Sequence, residues 1–131
     1  MIVVDASALI AILEREADAA VYARAIADGE PPLISAATLV EVSIVMLRRH
    51  GQKGLRSLTT LLQKAGFQVE SLTAQQAQQA VEAYAAYGKG MKKGAGLNYG
   101  DCFSYALAKA TGLPLLFKGA DFARTDIDPA L

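Results

Sequence analysis

Four short apolar runs punctuate this chain, each too brief for a helix and each ending near a turn residue or an acid. They are Ile2-Val3-Val4, Leu33-Ile34, Phe67-Gln68-Val69 and Leu115-Leu116-Phe117. Brief runs bounded in this way read as strands, and the β-branched Ile2-Val3-Val4 as a buried one. Helical periodicity fills the intervals between them. Strands alternating with helices predict right-handed βαβ units, and so an α/β fold in which a central parallel sheet lies between two helical layers. Open sheets of this kind bind ligands beyond the carboxyl ends of their strands. Chemistry-bearing residues should therefore follow the apolar runs directly.

The helical intervals are legible in detail. Residues 6–16 place Ala8, Leu9, Ile12 and Leu13 on one face, and a second helix is predicted over 17–28, stopping at Gly29. Pro31-Pro32 breaks the chain, and Ser35 is the predicted N-cap of a helix over 36–49 that is apolar nearly all round. Gly51 should end it, with another helix over 54–65 closed by Gly66. Thr73 should cap a helix running to Tyr87, with Ala77, Ala80, Val81, Tyr84 and Tyr87 facing in. Gly88, Gly90, Gly94 and Gly96 with Lys89, Lys92 and Lys93 predict a flexible basic loop. Asn98 then caps a helix over 99–111, with Asp101 three residues on in a capping-box arrangement, and Gly112 ends it.

At 131 residues the chain is expected to form one domain, over 1–131. A hydrophobic share of 53% with 20% charged residues is globular composition and excludes disorder. No apolar run approaches the roughly 20 residues of a membrane span, and the N-terminus carries no basic leader. One cysteine builds neither a disulfide framework nor a cysteine zinc site. The expectation is a cytoplasmic protein with no membrane association.

Net charge is zero, but it is unevenly spread. Residues 1–46 hold 7 acids and 2 bases, whereas residues 47–118 hold 3 acids and 10 bases. Against that basic middle a few acids stand out. Asp5 ends the first strand, where it is either a helix N-cap or part of a site. Glu41 interrupts an apolar helix face in Leu39-Val40-Glu41-Val42-Ser43-Ile44, and charged side chains are rarely buried without a partner. Asp101 suits the first turn of its helix electrostatically, and Asp121 lies beyond the last strand. Asp126 is near enough in sequence to reach the same edge. All of these can converge on one rim of the sheet. Two like charges about 4 Å apart repel by roughly 4 kcal/mol at an effective dielectric of 20, so such a cluster calls for a hard divalent cation, Mg²⁺ or Mn²⁺.

Other chemistries lack parts. His50 is the single histidine, which excludes a two-histidine acid/base nuclease, and no Walker-type phosphate loop is present. Cys102 is expected to pack as a small hydrophobe. A phospho-receiver domain would also set acids beyond parallel strands, with Lys118 after the last, but the middle strand runs into Glu70-Ser71 without a phosphoacceptor aspartate.

Several of these stretches occur together in one family. The start Ile2-Val3-Val4-Asp5-Ala6-Ser7-Ala8, the lone Glu41, the run from Gly96 through Asn98-Tyr99-Gly100-Asp101-Cys102 to Lys109, and the ending Leu116-Phe117-Lys118-Gly119-Ala120-Asp121-Phe122 with Thr125-Asp126-Ile127 resemble a PIN-domain ribonuclease. The likeness spans the chain and is nearest to VapC-type toxins of bacterial toxin–antitoxin pairs. It implies a three-layer α/β/α PIN-like domain that cuts RNA with Mg²⁺ or Mn²⁺. Asp5, Glu41 and Asp101 match the family's three metal-site acids, Asp121 matches the usual fourth, and Ser7 matches a supporting position. Asn98 supports the site from its cap. Relatives commonly carry Asn or Asp where Ala120 stands, which leaves Asp126 as a candidate extra acid. The resemblance further implies a homodimer and a cognate VapB-type antitoxin whose C-terminal arm blocks the acidic pocket.

The resulting expectation is that Asp5, Asp101 and Asp121 hold one metal ion, while Glu41 orients the attacking water or binds a second ion. Arg48, Arg49, Lys53, Lys89, Lys92 and Lys93 are candidates to track the RNA backbone. The alternative is a non-catalytic PIN-like module that binds RNA or regulates without a metal.

Overall fold

A computed structural model describes residues 1–91 and 94–131; Lys92 and Lys93 lie outside the described residues. In chain order the elements are β1 (Val3–Val4), α1 (Ala6–Leu13), α2 (Ala19–Ala27), β2 (Leu33–Ser35), α3 (Ala36–Ala65), β3 (Gln68–Glu70), α4 (Ala74–Tyr87), α5 (Asp101–Thr111) and β4 (Leu115–Leu116). The four strands form one sheet in the order β3-β2-β1-β4, and every pairing is parallel. Val3 pairs with Leu33 on one side and Leu115 on the other, which makes β1 and β2 central.

Alternation along the strands divides the interior in two, because successive side chains leave a strand on opposite faces. Val3, Leu33 and Leu115 pack with Leu97, Tyr105 and Leu107 under α4 and α5. Their neighbours Val4, Ile34 and Leu116 pack with Leu9, Ile26, Val42, Met46 and Leu58 under α1, α2 and α3. The three-layer α/β/α arrangement expected from the sequence is the one observed. No helix among the described residues is long and apolar enough to cross a membrane.

The caps read from the sequence also form. Ser35 Oγ accepts from the Ala37 N–H at 3.3 Å, and Thr73 Oγ1 accepts from the Gln76 N–H at 3.1 Å. α1 stops at Leu13, short of the predicted Glu16, because Arg15 takes a left-handed φ of 54°. The helices predicted over 36–49 and 54–65 abut in α3 across a kink at Gly51 (φ 63°, ψ −150°). That backbone conformation is nearly confined to glycine.

The inward face predicted for α4 needs correction. Gln76, Ala80 and Ala83 are the buried positions, whereas Val81 is 71% exposed, and Ala77 and Tyr84 are exposed too. Small residues on the buried face let α4 lie close to α5, whose Cys102 and Ala106 join the same core. Periodicity identified the helix, but large side chains did not win the interior against this close approach. Tyr87 does pack inward, against Tyr105 at a ring separation of 6.0 Å.

Replacing Gly51 by Ala should lower stability by about 1–3 kcal/mol through backbone strain alone, since an added Cβ meets nothing within 4 Å. Urea unfolding should record a lower midpoint at unchanged slope.

Candidate active site

Asp5 leaves β1 and immediately caps α1, so the capping role left open by the sequence is filled. It is 3% exposed, and its two carboxylate oxygens are separately held. Oδ2 accepts from the Ser7 hydroxyl at 2.7 Å and from the Ser7 N–H at 3.0 Å. Oδ1 accepts from the Ser104 hydroxyl at 2.6 Å. Ser104 Oγ lies 3.1 Å from Thr38 Oγ1. With the Ser104 proton committed to Asp5, Thr38 donates in turn to Ser104. Ser7 Oγ also accepts the Lys118 N–H at 3.0 Å, which ties the end of β4 to the start of α1. A buried carboxylate gains from such donors, because they replace the water it has lost.

Asp101 is the first residue of α5, which starts after Gly100 rather than directly after Asn98 as predicted, but both reciprocal Asn98–Asp101 bonds of the predicted capping box are present. The Asp101 N–H donates to Asn98 Oδ1 at 2.9 Å, and Asp101 Oδ2 accepts from the Asn98 N–H at 3.0 Å. Burial, followed by repulsion from Asp5 and Asp121, pushes the Asp101 carboxyl up to about 7 despite the Asn98 hydrogen bond. Glu41 projects from the early turns of α3. Burial and the Asp5 charge raise its carboxyl above the ordinary range. Its position explains a glycine, since a Cβ on Gly100 would come within 2.0 Å of Glu41 Oε2. The head of α5 is thus bare backbone where the Glu41 carboxylate rests on it.

Asp5, Glu41, Asp101 and Asp121 line one cleft of about 200 Å³, together with Ser7, Asn98, Lys118 and Phe122. It opens at the carboxyl ends of β1 and β4, where the fold rule places ligands. A larger groove of about 750 Å³ lies against α4 and α5, but it is lined mainly by apolar groups such as Val81, Met91 and Phe103. Of the two, the smaller cleft is the one that gathers carboxylates.

Not every candidate reaches it. Asp126 accepts from the Tyr105 hydroxyl at 2.5 Å and from Lys109 Nζ at 2.8 Å, and it does not line the cleft. Arg48, Arg49 and Lys53 are exposed beside the Gly51 kink and stand outside the cleft wall. Arg49 and His50 pair with Glu14 instead. Lys89 is exposed on the loop after α4, and Lys92 and Lys93 fall outside the described residues. Cys102 is buried, its Sγ donating to the Asn98 carbonyl at 3.3 Å, and burial pushes its thiol up to about 11, so it stays an unreactive core group.

Sequence reading missed Ser104, Thr38 and Lys118. Ser104 stands three residues after Asp101, and Thr38 three before Glu41, each on the face its acid uses. A hydroxyl at that spacing from a suspect acid is the signal that could have found Ser104 and Thr38; Lys118 carries no such local signal.

Four carboxylates offer the hard oxygen donors that Mg²⁺ or Mn²⁺ takes. Burial first, and the charges of neighbouring acids after it, raise the Asp101 and Glu41 carboxyls, and a cation would offset the repulsive part. As placed, no three His, Cys, Asp or Glu side chains among the described residues close around a single ion. The donor chemistry suits a divalent cation, but the described side chains do not themselves form its coordination shell.

Parallel α/β/α topology with four acids at the strand ends defines a class, and residues 2–128 match the PIN domain family. The chain belongs to that family, among its VapC members. A ribonuclease VapC of Mycolicibacterium smegmatis is 49% identical over 125 residues, covering 95% of this chain and 96% of the relative. Ribonuclease VapC30 of Mycobacterium tuberculosis is 47% identical and covers 95% of each chain. Among solved structures, the sarcin-ricin loop cleaving toxin VapC20 of Mycobacterium tuberculosis superposes with a TM-score of 0.78 at 21% identity, covering 97% of this chain and 96% of its own. VapBC2 of Rickettsia felis, bound to a DNA fragment from the promoter, matches with a TM-score of 0.73 at 16% identity, covering 98% and 96%.

Ser104→Ala should strip Asp5 of a buried donor and destabilise by about 1–3 kcal/mol, measured by urea unfolding. Asp101 contributes a pH dependence to stability. Its folded-state carboxyl is raised from an ordinary value of 3.8 to about 7. Between those limits the folded chain binds a proton that the unfolded chain has lost, so Asp101 subtracts stability as pH rises through the window. Asp101→Asn should therefore gain in melting temperature over the metal-free wild type as pH rises from 4 to 8, and a constant difference would contradict the assignment.

Proposed function

We propose that this protein is a divalent-metal-dependent endoribonuclease, the toxin of a type II toxin–antitoxin module, acting in the cytoplasm. The observation that carries the proposal is the meeting of Asp5, Glu41, Asp101 and Asp121 in one cleft, on a chain 47–49% identical to ribonucleases named VapC.

Asp5, Asp101 and Asp121 would hold the cation, with Glu41 alongside. A bound Mg²⁺ or Mn²⁺ supplies a more acidic water and neutralises charge on the phosphoryl group. The protein's part is positional. Ser7 and Ser104 fix both oxygens of Asp5. The capping box engages Oδ2 of Asp101 with the Asn98 N–H and leaves Oδ1 outside that bond. Glu41, with its carboxyl raised above the ordinary range, is suited to take a proton from water attacking the phosphodiester in line. Its seat on Gly100 keeps it in the cleft without competing for a backbone donor.

The proposed partners are RNA as substrate, a VapB-type antitoxin and a second copy of the chain. A toxin–antitoxin complex from Klebsiella pneumoniae and VapBC2 of Rickettsia felis share the fold. Val40, Ile44 and Leu47 on α3, and Val81, Met91 and Tyr99 near α4 and α5, are exposed apolar groups of the kind protein partners cover.

Asp5→Ala should abolish RNA cleavage in Mg²⁺ while circular dichroism remains native, and EDTA should silence the wild type reversibly. Cleavage that persists in EDTA would remove the metal from the reading. RNA binding without cleavage under any divalent cation would favour the non-catalytic module instead.

A further inference from the structure

Lys118 is the one cation that lines the acidic cleft among the described residues. Its Nζ donates to Glu16 Oε1 at 2.5 Å and to Asp18 Oδ1 at 3.0 Å, both from the segment joining α1 to α2. Its backbone N–H is fixed separately on Ser7 Oγ. The residue is therefore held at its backbone and at the tip of its side chain, and that side chain is 38% exposed. An ammonium carries three N–H donors, and two are engaged.

We propose that Lys118 seats a phosphate of the RNA backbone at the mouth of the cleft, with Glu16 and Asp18 holding its ammonium in place and the third N–H directed to a phosphate oxygen. The inference rests on the nuclease reading above and names the residue by which that site receives a polyanion. A substrate phosphate approaching four carboxylates needs a cationic handle besides the metal. Arg48, Arg49 and Lys53 are set away from the cleft wall, whereas Lys118 forms part of it. A lysine held by two partners loses little side-chain freedom on binding, which makes it a better handle than a free surface lysine. Lys118 also masks two acids that would otherwise repel RNA, and the test must separate that role from direct contact.

The substrate is a fluorescein-labelled RNA oligonucleotide spanning a site that the wild-type protein cuts in total RNA with Mg²⁺. Lys118→Met should raise KM about tenfold or more with kcat changed less than threefold. The slope of log(kcat/KM) against log salt should fall by about 1. Lys118→Arg should stay within about threefold of wild type. Labelled RNA should bind Asp5→Asn protein more tightly than the Asp5→Asn/Lys118→Met double variant by a similar factor in fluorescence anisotropy. Glu16→Gln/Asp18→Asn should raise KM by a smaller factor, because the ammonium loses its tethers. The triple variant Lys118→Met/Glu16→Gln/Asp18→Asn should remain impaired. Recovery of wild-type KM in the triple variant would mean that Lys118 only masks the two acids, and would overturn the proposal. So would an unchanged KM and salt slope in Lys118→Met, or a loss that tracks melting temperature across the variants. A wild-type protein that cuts no RNA would instead overturn the nuclease reading itself.

Discussion

The structure turns on one repulsion. Asp5, Glu41, Asp101 and Asp121 share a small cleft, and two of them carry carboxyls raised by burial and by the charges of their neighbours. A folded chain does not gather acids in this way without opposing forces, since each unit of raised pKa corresponds to about 1.4 kcal/mol. Those forces come from two sources. Donors within the protein hold Asp5, and packing on both faces of the sheet fixes the backbone from which the acids project.

The rigidity has identifiable origins. Parallel pairing of β1 with β2 and β4 fixes where Asp5 emerges. The two halves of the core grip the sheet from both faces. Thr38 of α3 and Ser104 of α5 then meet behind Asp5, so one buried hydroxyl chain links the two helical layers through the carboxylate. The same residues that position the acid thereby join the layers. Asp101 is similarly double-purposed, serving as capping-box partner for α5 and as a wall of the cleft. This economy lets a fold of 131 residues maintain a charged site.

Electrostatics also divides the surface. Basic residues concentrate in the middle of the chain, but pairing decides which of them are available to a ligand. Arg49 is drawn to Glu14 and Lys109 to Asp126, both on the protein's exterior. Lys118, which lines the cleft, is drawn to Glu16 and Asp18, which do not. Exposed ion pairs add little stability, so their consequence here is placement of charge relative to the acids.

The sequence by itself determined the strand–helix alternation, the caps at Ser35, Thr73 and Asn98, the break at Gly51, and the four acids that line the cleft. Each is a local signal: a β-branched run, a capping side chain, a glycine, or a carboxylate where apolar neighbours leave it out of place. Only the tertiary structure decided which side of α4 is buried, because that depends on how closely α5 approaches and favours Ala80 and Ala83 over Val81 and Tyr84. It alone withdrew Asp126 to Tyr105 and Lys109, and it alone brought Ser104, Thr38 and Lys118 to the acids. Those contacts join residues 21, 66, 99 and 100 positions apart. No periodicity within a window of the chain encodes such a separation; it is set by the crossover connections that bring distant strand ends to one edge.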